Sequence, residues 1–435
     1  MSPQLTIVLV MSISFSVFLV LGVPISVCIA LSSFLALLPI YDPALAAQII
    51  GHSFLSSLDN FGFLAIPFFV LAGQIMNAGG VARRLIEFAK VLSGPIPGSL
   101  AYCNVLANFL FGAVSGSAVA SAAAVGGAMA PAQKEEGYDP AFSAAVNIAA
   151  STTGLLTPPS NSLILYALVS GGTSVIALFV AGYIPGFLMA LAVVAIIAAQ
   201  GKKLPRGNPD NWRGGRLLRA FVDAVPSLFL VVLVMGGLIA GMFTPTEAST
   251  VAVLYALFLG FLYRELKVRD LPLIFTNAIS TTGIVLFLVA TSAAMSWVFS
   301  IAEVPVFVSE SLLAISQEPW VILLIMNLIM LVMGTFMDIT PAILIFTPIF
   351  LPIAVSIGVD PVHFGIIMVF NNCIGILTPP VGSCLFVGSG IYGVPLDRIM
   401  PRLMPIFFSE CVALALVTYV PELSLWLPRV LGLMK

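Results

Sequence analysis

Gly154-Leu155-Leu156-Thr157-Pro158-Pro159 returns 221 residues later as Gly375-Ile376-Leu377-Thr378-Pro379-Pro380. Each copy lies inside an apolar stretch about long enough to cross a bilayer. Proline removes a backbone donor and disfavours helical geometry at the residue before it, so a helix is interrupted at both places and leaves carbonyls free. Lipid offers those groups no partner, and a helix interrupted at membrane depth has to line a polar cavity. Two such interruptions at matching positions point to a carrier for a polar solute.

The same offset relates Pro24 to Pro245, Gly62 to Gly283, Pro131 to Pro352, Asp139 to Asp360 and Ser162 to Ser383, while Gly112 pairs with Gly334 after a slip of one residue. The chain therefore reads as two repeats of one plan. The first is expected over residues 1–199, with scaffold helices and an arm in 1–111 and a hairpin plus broken helix in 112–172. The second is expected over 220–435, with scaffold and arm in 220–333 and hairpin plus broken helix in 334–393. A polar linker, 200–219, joins them.

Of 435 residues 60% are hydrophobic and 8% charged, and mean hydropathy is +1.14. That composition cannot cover a soluble globule of this size, which makes the chain an all-α polytopic membrane protein. A barrel would instead show short alternating strands. Residues 4–22 lack a basic leader and a small-residue cleavage site, and read as a retained membrane segment. Lys202, Lys203, Arg206, Arg213, Arg216 and Arg219 crowd the linker against Asp210 alone, which places it on the cytoplasmic side by the positive-inside rule.

Several functions are excluded. The five cysteines (Cys28, Cys103, Cys373, Cys384, Cys411) have no metal-type spacing, His52 and His363 stand apart, and no phosphate-cradling GxxxxGK[ST] occurs. No nucleophile, base and oxyanion-hole set can be assembled, so the chain is not read as an enzyme.

Gly112 to Pro131 is built almost wholly of Gly, Ala, Ser and Val, as a hairpin buried in a bundle requires; a straight helix with a small-residue face is the alternative. Its counterpart, Gly334 to Pro352, carries Pro341, Pro348, Pro352 and an acid, Asp338. An acid at membrane depth costs at least roughly 2.5 kcal/mol on insertion scales, which makes Asp338 a candidate site residue unless it sits hydrated near an interface. Gly137-Tyr138-Asp139-Pro140 and Gly358-Val359-Asp360-Pro361 follow the two segments, and 17 residues lead from each of these prolines to the threonine of the break. Each repeat thus reads hairpin, turn, half-helix, break, half-helix. Carbonyls at the breaks together with Ser and Thr hydroxyls are hard oxygen ligands suited to an alkali cation. Arg83, Arg84, Glu87 and Lys90 are spaced as on an interfacial helix, with the Glu303 to Glu310 stretch as its mate. Glu247 has no acidic mate at Ser26 and reads as part of the scaffold.

Thr244-Pro245-Thr246-Glu247-Ala248, the Ser115-Gly116-Ser117 tip, Gly334-Thr335-Phe336-Met337-Asp338 and the paired Thr-Pro-Pro breaks occur in an order that resembles the large membrane subunit of tripartite ATP-independent periplasmic (TRAP) transporters, within a wider superfamily of inverted-repeat ion transporters. The resemblance runs over nearly the whole chain. It implies inverted repeats, a scaffold with a mobile transport domain, elevator-type movement, and location in the bacterial inner membrane. It implies two or more transported sodium ions, one site carried onto Ser115, Ser117, Thr153, Gly154 and Thr157 and the other onto Gly334, Thr335, Asp338, Gly375 and Thr378. It also implies a small four-helix membrane subunit and a periplasmic substrate-binding protein as partners, and no nucleic acid. Ser160, Asn161 and Ser383, just beyond the breaks, are the candidates for holding an organic acid of the sialic acid or C4-dicarboxylate type, with sialic acid preferred. A stand-alone sodium- or proton-coupled carboxylate carrier is the alternative, and a channel with re-entrant loops is the reading from a different class.

Overall fold

The computed structural model describes residues 3–207, 215–379 and 382–434. Asp210 and Arg213 of the linker, and Pro380 of the second break, lie outside the described residues. Before the linker come α1 (Pro3–Val20), α2 (Ile25–Leu37), α3 (Pro43–Leu58), α4 (Ala65–Ala78), α5 (Val81–Ser93), α6 (Ser99–Ser115), α7 (Ala118–Glu135), α8 (Pro140–Thr153), α9 (Asn161–Val169) and α10 (Val175–Gln200). After it come α11 (Gly215–Ile239), α12 (Pro245–Leu262), α13 (Leu271–Ile301), α14 (Val304–Ile315), α15 (Pro319–Gly334), α16 (Ile339–Ser356), α17 (Pro361–Gly375), α18 (Ser383–Tyr392), α19 (Leu396–Tyr419) and α20 (Glu422–Val430). Among the described residues seven helical stretches are long and apolar enough to cross a membrane.

Local chemistry explains the boundaries. Asp139 and Asp360 start α8 and α17 by accepting the amides of Ala141 (3.1 Å) and Val362 (2.7 Å), each followed by a proline whose missing N–H is no loss in the first turn. Gly137 and Gly358, at φ 80° and 85°, take the left-handed conformation that closes the preceding helix. At α12, Thr244 Oγ1 accepts the Glu247 amide (3.3 Å) while the Glu247 carboxylate accepts the Thr244 amide (2.8 Å). This reciprocal cap makes Glu247 a helix-start residue.

The structure moves two boundaries. Each hairpin limb starts well before the expected positions 112 and 334: α6 begins at Ser99 and α15 at Pro319. Gly116–Ser117 and Thr335–Asp338 turn the two tips, and the stretches of α6 and α15 before 112 and 334, grouped above with the scaffold, are the ascending limbs. Pro348 and Pro352 lie inside α16 without ending it.

Contacts fix which ends share a side. The Gly98 amide donates to Pro205 O (2.8 Å) and the Gly207 amide to Ile96 O (3.3 Å), which docks the start of the linker on the base of the α6–α7 hairpin. Tyr138 OH accepts the Leu100 amide at the same place (3.1 Å), and burial pushes that phenol up to about 12, keeping it neutral. Arg402, near the start of α19, pairs with Asp139 (3.0 Å) at this linker end, while Tyr419, at the last residue of α19, donates to Trp320 O (3.0 Å) at the base of the α15–α16 hairpin. The hairpins therefore enter from opposite ends. The half-helices α8 and α17 are buried along their whole length beyond the first proline. The outer faces of α1, α11, α12 and α13 expose Ile13, Val232, Leu254 and Ile279, an apolar surface suited to lipid.

Candidate functional site

The first break is held open by its own side chains. The Thr153 hydroxyl donates to Ala150 O (2.7 Å) and Thr157 Oγ1 to Thr153 O (3.3 Å), while the Ser160 hydroxyl donates to Leu155 O and accepts the Leu163 amide to start α9. The tip of the α6–α7 hairpin reaches this break through two glycines: a Cβ built on Gly154 would lie 2.2 Å from Gly112 Cα. Gly116 turns the tip at φ 63° and lies against the Asn161 amide group. Ser115 and Ser117 close the turn, with Ser117 Oγ accepting the Ala120 amide (3.3 Å).

The second junction repeats the arrangement with more room. A Cβ on Gly375 would lie 2.8 Å from Gly334 Cα. Thr378 Oγ1 donates to Gly375 O (2.6 Å) and Thr335 Oγ1 to Val332 O (2.8 Å). Asp338 Oδ1 accepts the Ile339 amide (3.0 Å) at the start of α16, which leaves its second oxygen to other partners. Beside Gly334 lies Asn372, whose amide oxygen and nitrogen are both buried without a hydrogen-bond partner. Sequence reading passed over it, because an Asn inside an apolar helix gives no sign of whether it is satisfied. Its unmet donor and acceptor mark a place built for something polar.

A cavity of ≈ 690 Å³ lies between the tips. Of the expected site residues it collects Ser115, Ser117, Asn161 and Asp338. Thr153, Gly154, Thr157, Gly334, Thr335, Gly375 and Thr378 sit behind these at the two junctions, and Ser160 and Ser383 lie off its wall; Ser383 Oγ is buried without a partner. The opposite wall was not anticipated. It comes from α4 (Gln74, Asn77), Ser26 of α2 and Thr281 of α13. Along α4 the wall runs from Ile66 to Asn77, that is, toward the linker end, since α5 beyond it packs through Phe88 on Phe221 of α11, the helix that follows the linker. Asp338 is the one charged side chain in the wall among the described residues.

The family model of the tripartite ATP-independent periplasmic transporter DctM component matches residues 12–423. The chain belongs to this family. It is 54% identical to the uncharacterized protein YgiK of Salmonella typhimurium, with 95% of each chain covered. It is 41% identical to the C4-dicarboxylate TRAP transporter large permease protein DctM of Pseudomonas aeruginosa (86% and 88% covered) and 37% identical to the sialic acid TRAP transporter large permease protein SiaM of Vibrio cholerae (87% and 89%). Among solved structures the YdaH transporter of Alcanivorax borkumensis, described as having an unusual topology, shares the fold at TM-score 0.61 and 14% identity over 86% of this chain and 88% of that one. Membership makes the chain a multi-pass inner-membrane transport permease and not an enzyme. It also implies a small membrane subunit and a periplasmic binding protein as partners.

Proposed function

We propose that this permease imports a small organic acid, delivered by its binding protein, in symport with at least two sodium ions, the hairpins and broken helices moving as a transport domain against the remaining helices. The observation that carries this reading is the charge of the cavity. Its wall holds a lone carboxylate, Asp338, and no basic side chain among the described residues. An anionic substrate entering such a cavity meets like charge, so cations have to arrive with it. The two tip–break junctions, with their clustered carbonyls and hydroxyls, are where small hard cations fit. Each sodium ion moved inward through 100 mV adds roughly 2.3 kcal/mol of driving force before its own gradient is counted. With the basic linker on the cytoplasmic side, the cavity opens inward and the α15–α16 hairpin enters from the periplasm.

C4-dicarboxylates and sialic acid both suit a cavity of this size lined by Gln74, Asn77 and Asn161. Uptake of labelled succinate and of sialic acid is measured in proteoliposomes holding the permease and its small subunit, with binding protein outside, in sodium and in potassium. Sodium-dependent uptake of one acid supports the reading. Equal uptake in potassium refutes the coupling, and uptake without the binding protein and small subunit favours the stand-alone carrier.

A further inference from the structure

A second cavity, of ≈ 570 Å³, lies at the linker end, away from the transport site. One side is formed by the polar face of α5 and the start of α11, the other by the base of the first hairpin, through Leu100, Ala132 and Glu136. Arg83, Arg84, Lys90, Arg216 and Arg219 line it against Glu87, Glu136 and Asp223. Arg83 and Arg84 share one carboxylate, that of Glu265, and Arg84 also stacks on the Tyr263 ring (3.4 Å to its centre). Lys90 pairs with Glu87 on its own helix (3.1 Å). Arg216 and Arg219, one turn apart, have no carboxylate partner among the described residues, and the basic linker start with Lys203 and Arg206 adjoins the same hairpin base. Counting Glu265, five basic side chains face four carboxylates, and the unspent cationic donors of the cleft are Arg216 and Arg219.

What lies beside it separates a lipid from a free anion. Round α11 from the cleft the surface turns apolar and open: Val222 borders Arg219, and Leu218 and Phe221 lie farther round the helix, the three exposed by 57%, 66% and 47%, and the Phe221 ring tilts against Phe88 of α5 (5.9 Å between centres). Cationic donors next to an exposed apolar helix face match a phosphate head carrying acyl chains.

We propose that this cleft binds the headgroup of an anionic phospholipid, with Arg216 and Arg219 on the phosphate and the acyl chains along Leu218, Phe221 and Val222. The headgroup bridges the α5–α11 wall to the base of the hairpin whose tip reaches Gly154. Its binding does not depend on the sodium-coupling reading.

The test is lipid binding by the purified full-length permease, read by native mass spectrometry during titration with phosphatidylglycerol, phosphatidylcholine or inorganic phosphate. Phosphatidylglycerol is expected to bind and phosphatidylcholine to bind far more weakly. R216Q/R219Q is expected to weaken phosphatidylglycerol binding by roughly tenfold or more. R216K/R219K, which keeps the charge, retains most of it, and K267Q/R269Q, at the same end but off the cleft, leaves it unchanged. Equal binding of the two lipids, or the same loss in K267Q/R269Q, overturns the proposal. Displacement of the lipid by inorganic phosphate at millimolar level overturns the lipid assignment in favour of a free anion. If R216Q/R219Q does not fold, the lipid comparison on the unaltered chain and R216K/R219K decides.

Discussion

Gly112 and Gly154 meet backbone to backbone, so closely that a methyl group on Gly154 would lie 2.2 Å from the Gly112 α-carbon. Neither partner is the end of a flexible side chain that could move aside. Gly154→Ala should therefore push the first hairpin tip off its break and abolish uptake, with a stability loss of about 1–3 kcal/mol as for other overpacked sites. Gly334→Ala meets Gly375 at 3.1 Å and should retain measurable uptake. Thermal unfolding and uptake of the two variants side by side check the order; a milder Gly154→Ala would refute it.

Asp338→Asn keeps the shape and the bond to the Ile339 amide but removes the one charge that the described residues place in the cavity wall. If Asp338 holds a coupling sodium ion, as proposed, its loss should lower the apparent sodium affinity by about 10- to 100-fold. Sodium titration of uptake measures this. An unchanged midpoint would mean the carboxylate faces water and not the cation.

Asn372 offers a cleaner separation of stability from function. A buried amide without partners costs about 1–3 kcal/mol, so Asn372→Leu should melt higher than the unaltered protein. It should also transport poorly, because the polar group beside Gly334 is gone. Lower melting with normal uptake would show that the amide is satisfied in the membrane and plays no part in the site.

Asp139 has two roles of unequal weight. Its pair with Arg402 is half-exposed, 44% and 53%, and worth at most about 1 kcal/mol. Its cap on α8 is worth about as much again. Arg402→Gln should therefore be nearly silent in thermal unfolding. Asp139→Ala should cost more, and Asp139→Asn, which can still cap, should fall between; equal effects of Arg402→Gln and Asp139→Ala would place the whole contribution in the ion pair.

The elements legible in the sequence were those written in local chemistry. Asp-Pro starts, Gly turns and Thr-Pro-Pro breaks each act within a few residues, so their positions could be read directly. The ascending limb Ser99–Ser115 was not, because its apolar run is indistinguishable from a full span until its tip is seen to turn back at Gly116. Pro348 and Pro352 stay inside α16, although Pro348 is only half-buried and Pro352 is exposed, so the helix runs on past two missing backbone donors. Gln74, Asn77 and Thr281 were invisible for another reason: a single polar residue on an apolar helix acquires meaning only from the direction in which it faces.

The reciprocal cap between Thr244 and Glu247 has a bearing on how such chains are sorted. The five residues that most readily name the family, Thr244 to Ala248, do their chemistry within one turn of one helix. A cap of this kind touches no solute, so it carries no information about cargo. Any attempt to group these proteins by solute should weigh positions in the cavity wall instead, such as Gln74, Asn77 and Asn161.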